Sequence, residues 1–121
     1  MITVTDSSKD NPSDLVAAVD LGSNSFRMLL AQVVQTPSGT QLRPIDTLRE
    51  SVRLAAGLTE DKLLGNDAYQ RGITAIRRFG ERIRGFDPAK VRAVATNTLR
   101  VAKNAPNFVR DAEEALGFPI E

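Results

Sequence analysis

Two apolar runs joined by a short polar connection constrain this chain more than any other feature. Leu15 to Val19 runs into a carboxylate, Asp20, and Met28 to Val34 follows after Leu21-Gly-Ser-Asn-Ser-Phe-Arg27. Continuous apolar runs of this length, bounded by turn residues, predict strands buried on both faces. So short a connection permits only an antiparallel hairpin. The polar tip then stands where two core strands leave the sheet.

The tip carries groups suited to a metal and a phosphate. Gly22 allows close backbone approach or positive φ. Ser23 and Ser25 supply hydroxyls, Asn24 supplies an amide, and consecutive backbone N–H groups in such a turn can form an anion-binding concavity. Asp20 is placed to hold Mg²⁺, directly or through water, with the metal bridging phosphate oxygens. The same residues also make an ordinary hairpin, in which Asp20 only satisfies turn amides.

Composition narrows the chemistry. The 121 residues contain no histidine and no cysteine. Disulfides, thiolate and imidazole metal sites, and His-activated nucleophiles are therefore excluded. Carboxylates, hydroxyls, amides and guanidiniums remain. A net charge of +1 gives no electrostatic reason to expect nucleic acid as a partner. No apolar run approaches the roughly twenty residues of a membrane span. The polar start of the chain is unlike a secretory signal, so a cytoplasmic location is expected.

Residues 1–14 read as a disordered leader. After the hairpin, Thr36-Pro-Ser-Gly39 is a turn, and Thr40 to Leu48 predicts a third strand that Pro44 confines to a sheet edge. Arg49 to Leu58 is a connecting stretch. Asn66 can cap a helix with Asp67 in its first turn. Tyr69, Ile73, Ile76, Gly80 and Ile83 mark its buried stripe, and Gly85 and Pro88 end it. Arg77, Arg78, Arg82 and Arg84 make it basic, which favours a solvated outer face over a phosphate patch.

Val91 to Ala95 predicts a strand parallel to the first and beside it, because a helical crossover precedes it. That brings Thr96-Asn-Thr-Leu-Arg100 to the edge where Asp20 lies, the edge at which α/β sheets collect ligands. Thr96, Asn97 and Thr98 offer donors there, and Arg100 offers a planar fork for phosphate oxygens. Equally, Thr98 can cap a short helix while Arg100 pairs with a carboxylate. Asn104 is expected to cap a second helix with Pro106 in its first turn. Phe108, Ala112, Ala115 and Leu116 mark its buried side and Gly117 its end. Phe118 to Glu121 reads as the start of a further strand.

Ala18-Val-Asp-Leu-Gly-Ser-Asn-Ser-Phe-Arg-Met28 resembles the first phosphate loop of the exopolyphosphatase / guanosine pentaphosphate phosphohydrolase (Ppx/GppA) family. Val52-Arg-Leu-Ala-Ala-Gly-Leu58 and Ala95-Thr-Asn-Thr-Leu-Arg-Val-Ala-Lys-Asn104 are similar to further family segments in the same order. The resemblance implies an α/β, ribonuclease H-like domain of the actin-like ATPase superfamily. Its mixed sheet would open with three antiparallel strands and continue through βα crossovers. Residues 15–121 would be the N-terminal part of its first domain, the remaining domains lying outside these residues. Asp20 would hold Mg²⁺. Gly22, Ser23, Asn24, Ser25, Arg53, Thr96, Asn97, Thr98 and Arg100 would bind phosphate. Arg53 carries an open alternative, a solvent-facing arginine on a loop.

The activity implied is Mg²⁺-dependent hydrolysis of terminal phosphates from inorganic polyphosphate, or of the 5′-phosphate of guanosine pentaphosphate, a bacterial stringent-response signal. Family members carry their general-base glutamate in a Ser-Gly-x-Glu-Glu-Ala-Arg segment beyond the position of Glu121. These residues alone are thus expected to be inactive, and the whole protein is expected to act as a homodimer. An actin-like ATPase or sugar-kinase-type phosphotransferase, or a non-catalytic binding module, stands as the alternative.

Overall fold

A computed structural model describes residues 14–96 and 101–121. The expected leader falls almost wholly outside the described residues, as do Asn97, Thr98 and Arg100. Leu15–Leu21 (β1) and Ser25–Thr36 (β2) form the antiparallel hairpin, with Asp20 opposite Arg27 and Leu21 opposite Phe26. Gly39–Ser51 (β3) returns along β2 as the edge strand, longer than the sequence indicates. A register shift beside Leu30 and Ala31 brings Pro44 opposite Ala31, so the missing proline donor is absorbed at a bulge on the sheet margin. A short turn of 3₁₀ helix, Ala55–Gly57, leads to helix α1, Asn66–Arg82, and then to Val91–Ala95 (β4) and helix α2, Ala105–Leu116. The sheet order is β3-β2-β1-β4, with β4 parallel to β1 as expected.

One expectation fails. Near the tip the hairpin strands are buried on one face only, while Leu30, Ala31 and Gln32 beside the bulge are buried in succession. Ala17, Val19 and Leu21 of β1 and Phe26, Met28 and Leu30 of β2 are buried, while Ala18, Asp20, Arg27 and Leu29 alternate with them on the exposed side. The reason is that both helices pack on the same side of the sheet. Ile76 and Phe79 of α1 and Phe108, Ala112 and Leu116 of α2 join the hairpin's inner residues in a single core. Arg78 and Arg82 of α1 reach Glu50 and Asp46 of β3 at 2.9 and 3.0 Å, on that inner side. Two of the four α1 arginines are thus clips between helix and edge strand, and their exposure makes each worth little. Among the described residues nothing covers the opposite face, which is partly apolar, with Leu29 43% and Val94 39% exposed.

The helices meet closely because small residues let them. A Cβ on Gly80 would lie 2.6 Å from the Ala115 carbonyl oxygen and 2.8 Å from that of Leu116, and one on Gly72 would strike the Phe108 ring. Tyr69 stacks edge-on against Phe108 with ring centroids 5.0 Å apart.

One predicted cap is displaced by a residue, and the other keeps its position without a side-chain capping bond. The N-cap of α1 is Gly65, not Asn66, and the cap residue receives no side-chain bond. Asn104 does occupy the N-cap of α2, but its side chain is spent elsewhere. Its Oδ1 accepts the Leu64 amide at 2.9 Å, and its Nδ2 donates to the Leu64 carbonyl at 3.2 Å. Gly117 ends α2 at φ 85, as its position predicts. Beyond it, Glu121 donates its amide to Ala93 and accepts that of Ala95, the bonding pattern of a parallel partner on the outer edge of β4.

Candidate functional site

The tip of the β1–β2 hairpin is a tight turn. The Gly22 amide donates to the Ser25 carbonyl at 3.1 Å, and a Cβ on Gly22 would come within 2.9 Å of that oxygen. Gly22 is required for this close approach. It does not adopt positive φ.

Two separate segments, the end of β4 and the stretch from Val52 to Ala55, converge on the tip through its carbonyl groups. Leu21 accepts from the Thr96 amide at 3.1 Å, Ser23 from Ala55 at 3.1 Å, and Asn24 from both Val52 and Arg53 at 2.9 Å. The turn's carbonyls are thereby consumed by the protein. Among the described residues, no backbone acceptor takes the amides of Ser23 and Asn24, and the Ser23 hydroxyl and Asn24 side chain make no hydrogen bond. A turn whose acceptors are satisfied and whose donors are left over is suited to an anion.

The residues singled out from the sequence are distributed as follows. Gly22, Ser23, Asn24 and Ser25 form the tip, Arg53 is hydrogen-bonded to it, and Thr96 adjoins it. Asn97, Thr98 and Arg100 lie outside the described residues. Asp20 is exposed on the bare sheet face, between Arg27 on β2 and Val94 on β4 in register. Its carboxylate accepts no hydrogen bond and forms no ion pair among the described residues, which removes the reading that it satisfies turn amides. Among the described residues no cluster of three or more carboxylates could hold a metal by itself, so a cation at Asp20 would need ligands from water and substrate. Mg²⁺ commonly binds through one or two carboxylates, substrate phosphate and retained water.

Arg53 is exposed and holds φ 50, in the left-handed region. An L residue adopts that conformation at a cost of roughly 1–2 kcal/mol. Strain of this kind persists where surrounding bonds enforce it, and it gathers at functional positions. Arg53 borders a cleft of about 400 Å³ that also meets Gly57, Gly65 and Asp67.

Two arginines not anticipated from the sequence belong to the same region. Arg49 of β3 donates through Nε and Nη2 to the Ser25 hydroxyl at 3.3 and 3.2 Å. Arg71 of α1 donates to the Val52 carbonyl at 3.2 and 3.1 Å. In the sequence Arg49 falls in the connecting stretch, and Arg71 is one more polar residue within the helix. Neither has a local signal, because each acts across the fold.

Comparison with known proteins decides the family. The model of the Ppx/GppA phosphatase family matches residues 32–121. The chain belongs to the Ppx/GppA phosphatase family. The Aquifex aeolicus Ppx/GppA family member is similar in structure, with 28% identity, a TM-score of 0.76, and coverage of 88% of this chain and 34% of that one. An exopolyphosphatase-like protein shares 27% identity at a TM-score of 0.72, covering 92% and 33%. An exopolyphosphatase from Cytophaga hutchinsonii shares the fold at 17% identity, TM-score 0.75, covering 88% and 33%. This chain therefore spans about a third of the length of the solved structures it matches. The four-stranded mixed sheet with its crossover helices is the Ppx/GppA actin-like architecture anticipated from the sequence. No helix among the described residues is long and apolar enough to cross a membrane.

Proposed function

We propose that these residues supply the first phosphate loop of a Ppx/GppA phosphohydrolase. Its substrate is the terminal phosphate of inorganic polyphosphate or the 5′-phosphate of guanosine pentaphosphate. One observation carries the reading. Every carbonyl from Ser23 to Ser25 accepts a backbone bond, while the Ser23 and Asn24 amides and the Asp20 carboxylate have no protein partner among the described residues.

In this reading the Ser23 and Asn24 amides and the Ser23 hydroxyl donate to oxygens of the phosphoryl group. Such fixed donors stabilise charge as it develops and need no reorganisation during the reaction. Arg49 orients the Ser25 hydroxyl. Arg53 provides a permanent positive charge at the cleft beside the tip. Arg100, from the segment that begins at Thr96, provides a second charge. Asp20, with water and substrate oxygens, would hold Mg²⁺. When bound, the ion would offset negative charge on the transferring group. The general base is a glutamate outside these residues, so residues 1–121 alone bind phosphate without turnover. The whole protein is cytoplasmic and acts as a homodimer.

The test is phosphate release by the natural full-length protein, with and without Mg²⁺, from polyphosphate, guanosine pentaphosphate and ATP in parallel. Mg²⁺-dependent release from either of the first two supports the reading. Turnover of ATP alone would replace it with an actin-like ATPase.

A further inference from the structure

The Val52–Arg53 peptide is held on all sides. Its own amide, that of Arg53, and the amide of the preceding peptide, that of Val52, both donate to the one Asn24 carbonyl at 2.9 Å. On its other side the Val52 carbonyl accepts two bonds from a single guanidinium, Arg71 Nε at 3.2 Å and Nη2 at 3.1 Å. Arg71 stands on α1, a rigid element, six residues into the helix. It borders both the cleft that Arg53 lines and the neighbouring groove that Val52 lines, so it sits where the two meet.

The φ of a residue sets the direction of its Cα–Cβ bond. At φ 50, Arg53 aims its side chain in a direction that the ordinary negative-φ regions do not give. A bidentate guanidinium resists rotation of the carbonyl it grips, because its two N–H groups lie in one plane. Rotating the Val52–Arg53 peptide would break both Arg71 bonds and the Arg53–Asn24 bond together.

Resting on the phosphate-loop reading above, we propose that Arg71 is a positioning residue. It clamps the Val52 carbonyl, holds Arg53 in its left-handed conformation, and so aims the Arg53 guanidinium at the phosphate of the substrate. Arg71 acts through Arg53 and does not itself bind the phosphoryl group.

The experiment is a double-mutant cycle in the natural full-length protein, with Arg71→Met, Arg53→Met and the pair, measured as kcat/KM for polyphosphate. Misplacement of a binding group by about 1 Å can cost a hundredfold, so Arg71→Met is expected to lower kcat/KM by about tenfold to a hundredfold. In the Arg53→Met background it is expected to lower it no further. Arg71→Lys, which keeps the charge and a donor but loses the planar fork, serves in the same cycle if Arg71→Met does not fold. An unchanged kcat/KM in the Arg71 variant overturns the proposal. So does an equal loss with and without Arg53, which would mean that Arg71 acts on its own. If the wild-type protein releases no phosphate, the functional reading fails separately. The clamp is then decided by the crystal structure of the Arg71 variant, where relaxation of Arg53 to negative φ supports it and retention near +50° overturns it.

Discussion

The amide of Arg53 donates to the carbonyl of Asn24 at 2.9 Å, joining two segments separated in sequence by two full strands, β2 and β3. This bond makes the hairpin tip and the Val52–Leu58 stretch one structural unit. Among the described residues the Asn24 amide has no backbone acceptor, and the proposed phosphate site depends on that.

Asp20→Asn removes the charge at the proposed metal position and keeps the side-chain shape. Losing such electrostatic stabilisation is expected to cut turnover by about a hundredfold or more. The exposed, unpaired position of Asp20 predicts a change in unfolding free energy within about 0.5 kcal/mol. Phosphate-release kinetics and urea denaturation of the same variant check both. Normal turnover would remove Asp20 from the site.

Arg53→Gly separates strain from function. Glycine tolerates φ 50 without steric cost but loses more conformational freedom on folding. The two effects leave a net gain of about 0.5–1 kcal/mol in stability. Phosphate release should fall in the same variant. A protein made both more stable and less active, by chemical denaturation and by assay, is the expected outcome.

Gly80→Ala puts a methyl group 2.6 Å from the Ala115 carbonyl oxygen, where backbone must move to admit it. Overpacking of this kind is expected to cost about 1–3 kcal/mol. The denaturation midpoint should fall, whereas an alanine at exposed Thr74 on the same helix should leave it nearly unchanged.

Tyr69 gives a pH signature. Burial first, and then the hydrogen bond to Asp111 at 2.5 Å together with that carboxylate's charge, pushes the phenol up to about 12 from its usual value near 10, with Arg110 opposing. The folded state therefore keeps a proton that the unfolded chain releases. The stabilisation is fully present below pH 10 and is lost as pH rises through about 12. Ultraviolet titration of the phenolate should show the raised value. Asp111→Asn should bring it part of the way back, since the burial remains.

Local order was legible in the sequence where one residue decides one feature. Gly117 ended α2, Val91–Ala95 formed the parallel strand, and Asp20-Leu-Gly-Ser-Asn-Ser made the tip. Apart from the one-residue shift of the α1 cap to Gly65, the misreadings involved a distant partner. Leu15 to Val19 looks buried on both faces because its apolar run is unbroken, but which face is covered depends on where α1 and α2 settle. Asn104 looks like a helix cap because caps are local, yet Leu64, forty residues earlier, claims its side chain. Arg49 and Arg71 escaped notice because an arginine's reach is long and its target is a hydroxyl or carbonyl that any residue could present.

If Asp20 holds a cation as proposed, the exposed face of the sheet would set the strength of that grip. In contact with water, a unit charge pair 4 Å apart attracts by only about 1 kcal/mol, whereas near a protein surface of lower dielectric the same pair attracts by about 4 kcal/mol. Leu29 and Val94 line the groove that contains Asp20. A surface laid over them would expel water from the carboxylate's surroundings and tighten its grip on a cation without altering a single ligand. Affinity at this position is thus adjustable from a distance, by cover alone.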